Sequence, residues 1–275
     1  KSLITGGLSL CRRIVMMRAW RFLNNNLSGL SHLSMNNTIA IIPARSGSKS
    51  ITDKNIKFLS GHPLIAYSIA AAKLSKKIKK VIVSTNSKEY ADIAKQYGAE
   101  VPFIRPDEIS TDTATDRGFL IHAMDWFEEN EGSAPEYWVH LRPTTPLRDV
   151  EVVDNAIDEI MQDKSATSLR SGYKAPESPL KWLVKDDRYF KGLVGGEDYN
   201  LPKEAFKQVY IPDGFVDIVK SSFVMNNNEI HGDKMIGFES PVCTEVDSVE
   251  EFEYIQYQLD KNGSKLLDYL NQVKG

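Results

Sequence analysis

The sequence predicts an α/β protein built on a mostly parallel sheet, and three observations carry that prediction. Short apolar, β-branched runs recur at 38–43, 79–85, 99–104, 137–142 and 166–170, and segments of helical period lie between them. Such alternation calls for right-handed crossovers joining parallel strands. Gly, Pro, Ser and Thr gather just past several of these runs, at the edge where open α/β sheets hold ligands. The alternation then breaks once, across 172–208, where Pro, Gly and scattered aromatics mark a β-hairpin-like excursion from the sheet.

Composition bounds the rest. The 275 residues suffice for one large domain or two small ones, and 26% charged with 41% hydrophobic residues is ordinary for a soluble globular protein. A formal net charge of −3 leaves no basic excess for a nucleic acid backbone, so local cations or a metal must meet any polyanionic ligand. Cys11 and Cys243 give no disulfide framework, which fits a reducing, cytoplasmic setting. None of the five histidines is paired at metal-ligand spacing.

Residues 1–34 differ from the rest. They carry Lys1, Arg12, Arg13, Arg18 and Arg21 but no acid, and the apolar run 14–17 is closed off by Arg13 and Arg18. Neither a secretory signal nor a membrane span fits that pattern. An organellar transit peptide fits it, and so does translated sequence upstream of a start at Met35; in either case the segment is expected to be poorly ordered. The domain proper is 35–275.

The first strand stops at Pro43 and opens into Ala44, Arg45, Ser46, Gly47, Ser48, Lys49, Ser50 and, further on, Lys54 and Asn55. Three cations around small residues that free the backbone N–H groups make a polyphosphate cradle. It is not a Walker loop, because Lys49 follows Ser48 and the earlier glycine position falls at or before Ala44. A solvated basic loop is the plain alternative.

Next, Pro63 opens a helix over 63–74, 79–85 is a buried strand, and a helix at 90–97 is ended by Gly98 before a strand at 99–104. Ser84 lies at the ligand edge. Arg105 either reaches a nucleotide or merely pairs with Asp107 or Glu108. Thr115 is placed to cap a helix running through His122 to Glu129. Strand 137–142 ends at Arg142, and Pro143-Thr144-Thr145-Pro146 is a stiff turn directing two hydroxyls to the same edge. A helix at 150–161 and the strand at 166–170 precede the excursion. Beyond it, Asp213-Gly214 suits a tight turn into a strand, and a further strand lies at 234–238. Glu245 and Asp247 flank Val246 on a strand end, so both carboxylates share one face, an oxygen pair of the kind magnesium takes. Asp247 or Ser248 can equally cap the helix 249–259.

These stretches together resemble a known family. Pro43-Ala44-Arg45-Ser46-Gly47-Ser48-Lys49-Ser50-Ile51 with Lys54-Asn55 is similar to the opening signature of the acylneuraminate cytidylyltransferases. The segments 110–115, 143–148, 210–218 and 245–248 resemble later motifs of that family. The departures are Ser50 for Gly, Thr52 for Pro, Asn86 for an acid, Arg142 for Gln, Lys203-Glu204 for Arg-Gln, Asp213 for Asn and Glu245 for Asp.

The resemblance implies a Rossmann-like, three-layer nucleotide-diphospho-sugar transferase fold whose excursion forms a homodimer. It implies transfer of CMP from CTP to a sialic-type 2-keto-3-deoxy sugar acid, with Mg2+, for cell-surface polysaccharide biosynthesis. Arg45, Lys49, Lys54 and Lys203 become the catalytic cations. Ala44, Gly47, Ser48, Asn55, Ser84 and Arg105 surround the nucleotide, Arg142, Thr144 and Thr145 meet the sugar, and Glu245 and Asp247 hold the metal. An Arg at 142 further suggests a two-pronged grip on a carboxylate. The alternatives are an octulosonate-type or other sugar nucleotidyltransferase and, in another class, an inactive nucleotide-binding pseudoenzyme.

Overall fold

The computed structural model describes residues 38–274, so the expectations for 1–34 lie outside the described residues. β1 (Thr38–Pro43) is the axis of the sheet. Its side chains are buried on both faces: Ala40 and Ile42 join one apolar cluster while Ile39 and Ile41 join another. A continuous apolar run, rather than an alternating one, is what a strand covered on both sides requires.

β2 (Lys80–Ser84) and β3 (Tyr137–His140) flank β1 in parallel. Further out lie β4 (Ser168–Lys174), β7 (Tyr210–Lys220) and β8 (Met235–Glu239), and the order across the sheet is β8-β4-β7-β3-β1-β2. Between β4 and β7 the chain makes a small hairpin, β5 (Leu183–Asp186) with β6 (Tyr189–Gly192). The expected excursion is therefore present, although β4 extends to Lys174 and the departure falls after it.

On one face pack α1 (Leu64–Leu74), α2 (Lys88–Gln96), α4 (Val150–Gln162), α6 (Val249–Asn262) and α7 (Lys265–Lys274). On the other pack α3 (Asp116–Asn130) and the short α5 (Ser221–Asn226). This is the three-layer α/β arrangement the sequence leads one to expect. α1 is buried nearly all round, as a helix at the centre of a layer must be.

Two expectations need correction, and one strand takes a direction that local sequence did not specify. The strand at 99–104 reduces to a single bridge, Glu100 against Ile82, because Pro102 and Pro106 lack the N–H groups needed to extend a ladder. β7 runs antiparallel between β3 and β4, since the chain returns from the excursion at the ligand end of the sheet. Gly172 makes that pairing possible: a Cβ there would sit 2.8 Å from the Ile211 carbonyl oxygen. Finally, 244–248 is not a strand; the Val246 N–H donates to Thr144 O, in the turn after β3, at 2.8 Å. Among the described residues, no helix is long and apolar enough to cross a membrane.

Candidate active site

A cleft of about 540 Å3 opens at the carboxyl ends of β1, β2 and β3. Its floor is the loop after β1. The Ala44 N–H still pairs with Ser84 O (2.9 Å), after which Gly47, at φ +76°, turns the backbone in a way that favours glycine. Asn86 holds the turn: its Oδ1 accepts from the Ser46 N–H at 2.9 Å and from Ser46 Oγ at 3.2 Å. The residue that replaces the family's acid is thus the anchor of the loop.

Arg45 and Lys49 share one partner that the sequence reading passed over. Asp112 Oδ1 lies 2.9 Å from Arg45 Nη2, and its Oδ2 contacts Lys49 Nζ. These two cations hold the Asp112 carboxyl below its ordinary range, the Lys49 hydrogen bond foremost. Lys54 points the other way, to the far end of the chain. Its Nζ donates to Val246 O at 2.8 Å and meets Asp247 Oδ1 at 3.3 Å. The neighbouring Asp53 occupies the left-handed region, and the Tyr90 hydroxyl fixes it by donating to Asp53 Oδ1 at 2.8 Å. Asn55 Nδ2 donates to Arg45 O at 3.0 Å.

Arg105 is buried under the cleft wall. Its Nε donates to Ser84 Oγ at 3.0 Å, Nη2 donates to Ser84 O, and the guanidinium lies over the Phe119 ring at 5.0 Å. Burial pushes its pKa down to about 10, opposed by Asp116. Of the two alternatives for Arg105, a pairing with Asp107 or Glu108 gives way to Ser84. Ser84 itself is wholly buried and is not among the residues lining the cleft; its hydroxyl supports Arg105.

The sugar side also differs from expectation. Arg142 lines the cleft, but its fork is already filled: Nη1 donates to Asp217 Oδ2 at 2.7 Å and Nη2 to Asp116 Oδ2 at 2.8 Å. Burial works against its charge, yet Asp217 and Asp116 together raise its pKa. A two-pronged grip on a substrate carboxylate would first have to break both pairs. Thr144 lines the cleft, whereas Thr145 is buried and faces Gly214 O at 3.4 Å. Behind them Arg148 is fully inside, donating to the carbonyls of Phe215, Thr145, Arg142 and Gly214 and to Ser68 Oγ.

Glu245 is half-buried beside Arg142. Burial, and then the charge of Asp247, push its carboxyl up to about 7, with Arg142 opposing. Gly214, at φ +61°, leaves room for it: a Cβ there would lie 2.9 Å from Glu245 Oε1 and 3.2 Å from Arg142 Cδ. Val246 is buried between the two acids, as their alternation demands. Capping of α6 falls to Ser248, which forms a capping box with Glu251, so Asp247 stays exposed at the cleft's edge. Thr115 stands at the N-terminus of α3 without a side-chain cap bond.

The structure therefore brings together Arg45, Ser48, Lys49, Lys54, Asn55, Arg105, Arg142 and Thr144 as lining residues, with Asp247 at Lys54. Ala44 is buried in the first turn, and Gly47 supplies conformation rather than close approach, since a Cβ there meets nothing within 4 Å. Lys203 is not brought to this cleft; it is exposed on a short turn (Lys203–Ala205) of the excursion. Asp112, Asp116, Arg148 and Asp217 carry no role in the motifs as read from sequence, and Asn86 stands there only as a departure from the family's acid. Asp112 lies on an acid- and Thr-rich loop after Arg105 and Asp116 opens the helix that follows it, and that composition was the available signal.

A sequence model described as cytidylyltransferase matches residues 39–189. The N-acylneuraminate cytidylyltransferase of Escherichia coli O18:K1:H7 is 31% identical over 236 residues, 85% of this chain and 55% of that protein. The CMP-N,N'-diacetyllegionaminic acid synthase of Legionella pneumophila is 40% identical over 126 residues, 44% of this chain and 51% of that one. The chain thus spans about half the length of these relatives. A solved structure of CMP:2-keto-3-deoxy-manno-octonic acid synthetase complexed with CTP aligns at TM-score 0.62 and 14% identity, covering 82% of this chain and 99% of that one, which is likeness of fold. The family match begins in β1, takes in the loop after it, Asp112 and Arg142, and stops short of Glu245 and Asp247; it covers more than half of the chain, and the chain belongs to the cytidylyltransferase family.

Proposed function

We propose that the protein transfers CMP from CTP to the anomeric hydroxyl of a sialic-type, nonulosonic 2-keto-3-deoxy sugar acid and releases pyrophosphate. The observation that carries this reading is Lys54, a cation of the loop after β1 that meets Asp247 from the far end of the chain across one cleft. Cations on one side and acids on the other are what a nucleoside triphosphate and its divalent ion need. The names of the neuraminate and legionaminate relatives support the acceptor class.

In this reading Arg45, Lys49 and Lys54 hold the β- and γ-phosphates, and backbone N–H groups around Gly47 and Ser48 complete the cradle. The anomeric oxygen forms a bond to the α-phosphorus and gives up its proton to solvent, while the bond from that phosphorus to the α,β-bridging oxygen breaks in line and the pair leaves with pyrophosphate. The three cations take up the charge of the departing pyrophosphate, so positioning and neutralisation carry the rate. Ala44, Asn55 and Arg105 lie toward the base, and Thr144 with the Arg142–Asp116 pair faces the acceptor.

Glu245 and Asp247 suit magnesium: their proximity and the burial of Glu245 disfavour two free negative charges, a conflict a cation relieves. Two carboxylates would leave places on such an ion for phosphate oxygens and water. Bound there, magnesium supplies charge neutralisation and acidity to an attacking hydroxyl. The excursion exposes Trp182, Tyr189 and Phe190, each more than half accessible. A second copy covering them in a cytoplasmic homodimer would carry Lys203 toward the neighbouring cleft.

The test is pyrophosphate release from CTP and magnesium across N-acetylneuraminate, legionaminate, pseudaminate and octulosonate. Turnover with a nonulosonic acid is expected. Turnover confined to octulosonate moves the acceptor class, and none with any acceptor leaves a nucleotide-binding pseudoenzyme.

A further inference from the structure

Asp112 occupies the place that the polyphosphate reading reserves for a phosphate group. One carboxylate oxygen faces Arg45 at 2.9 Å and the other faces Lys49, so a single acid bridges both cations. Neither pair is buried: side-chain exposure is 34% for Arg45, 82% for Lys49 and 38% for Asp112. Solvated pairs of this kind are weak and exchange readily for a stronger anion.

The acid sits where it can leave without unfolding anything. It lies on the loop between the short turn Asp107–Ile109 and α3, outside any helix or strand. The base of that loop is fixed by Ser110 Oγ donating to Pro106 O at 2.8 Å. Asn86 spans the two loops, accepting from Ser46 with Oδ1 while its Nδ2 reaches Asp107 Oδ1 at 3.5 Å. A carboxylate at 86 would repel Asp107 rather than donate to it, so Asn86 suits a chain in which the loops stay joined at their base.

We propose that Asp112 is an internal counter-ion of the polyphosphate site, displaced by the β- and γ-phosphates of the nucleotide and returning to Arg45 and Lys49 as pyrophosphate leaves. The inference rests on the reading of Arg45 and Lys49 as phosphate ligands. Its consequence is selective. A ligand that reaches those two cations pays the cost of displacing Asp112, whereas a nucleoside monophosphate, whose single phosphate lies nearer the base, does not. The acid therefore weakens both CTP and pyrophosphate by a common factor, limiting retention of the product.

Titration calorimetry of CTP, CMP and inorganic pyrophosphate on the full chain, at fixed ionic strength, tests this with the wild type, Asp112→Asn and Asp112→Ala. Both variants should bind CTP and pyrophosphate about threefold to tenfold more tightly, as loss of two exposed pairs predicts, with CMP unchanged. Unaltered circular dichroism checks the fold. Equal or weaker binding of CTP and pyrophosphate by both variants overturns the proposal. So does an equal gain for CMP, which would make the effect one of net charge. Failure of the wild type to bind either CTP or pyrophosphate overturns the underlying phosphate reading instead, a result distinct from the other two.

Discussion

Two sets of positive side chains surround one cleft, and they are built in opposite ways. Arg45 is partly exposed and Lys49 exposed, both pair with Asp112 among the described residues, and both are carried on a loop. Arg105, Arg142 and Arg148 lie beneath them, buried or nearly so, with guanidinium nitrogens spent on carbonyls, hydroxyls and two acids. Lys54 stands between the sets, its side chain only 12% exposed but aimed at the acid edge. The contrast teaches that charge type does not reveal role. A cation with a replaceable partner is available to a ligand, whereas one whose donors are saturated by backbone is part of the frame.

The strongest way to break this contrast is to remove a frame arginine. Arg148→Met leaves several buried carbonyls without donors and should cost at least about 3 kcal/mol of stability, read from the shift in denaturant midpoint. A midpoint equal to that of the wild type would show that Arg148 is not a frame residue. The opposite signature is expected of Lys54→Ala. Turnover should fall at least about a hundredfold, as loss of one preorganised charge does, while the melting temperature stays close to that of the wild type. A near-normal rate with unchanged magnesium dependence would remove Lys54 from the phosphate set.

A smaller effect sharpens the acid side. Glu245 is held up to about 7 in the folded chain against an ordinary 4.5. Between those pH values the folded state keeps a proton that the unfolded state has lost. The metal-free protein should therefore lose stability as pH rises from about 4.5 to about 7, with no further contribution from this group above that. Because Glu245 is only half-buried, the slope will be modest. Denaturation at pH 5, 6, 7 and 8 should show it in the wild type and not in Glu245→Gln; identical slopes would place the titration elsewhere.

How much of this was readable beforehand depended on distance along the chain. The strands at 38–43 and 79–85 were plain because a doubly covered strand needs an unbroken apolar run, and both have one. At 99–104 the apolar residues carry a strand signal, but Pro102 within the run and Pro106 just past it have no N–H to give a ladder. The antiparallel course of β7 was hidden, because strand direction depends on where a long excursion returns, not on local periodicity. In the site, Arg45, Lys49 and Lys54 stood out since one loop carries all three. Thr145 and Ser84 matched the same motifs, yet packing turned their hydroxyls inward.

Local order, then, was written in the sequence by itself: the alternation of strands and helices, the loop after β1 with its three cations, and the spacing of Glu245 and Asp247 around a buried valine. Only the tertiary structure decided which charges are free. Asp112 neutralises Arg45 and Lys49, while Asp116 and Asp217 fill Arg142, and these partners come from distant parts of the chain. The physical reason is that an ion pair acts over a few ångströms of space, and the packed sheet, not position along the chain, sets those distances.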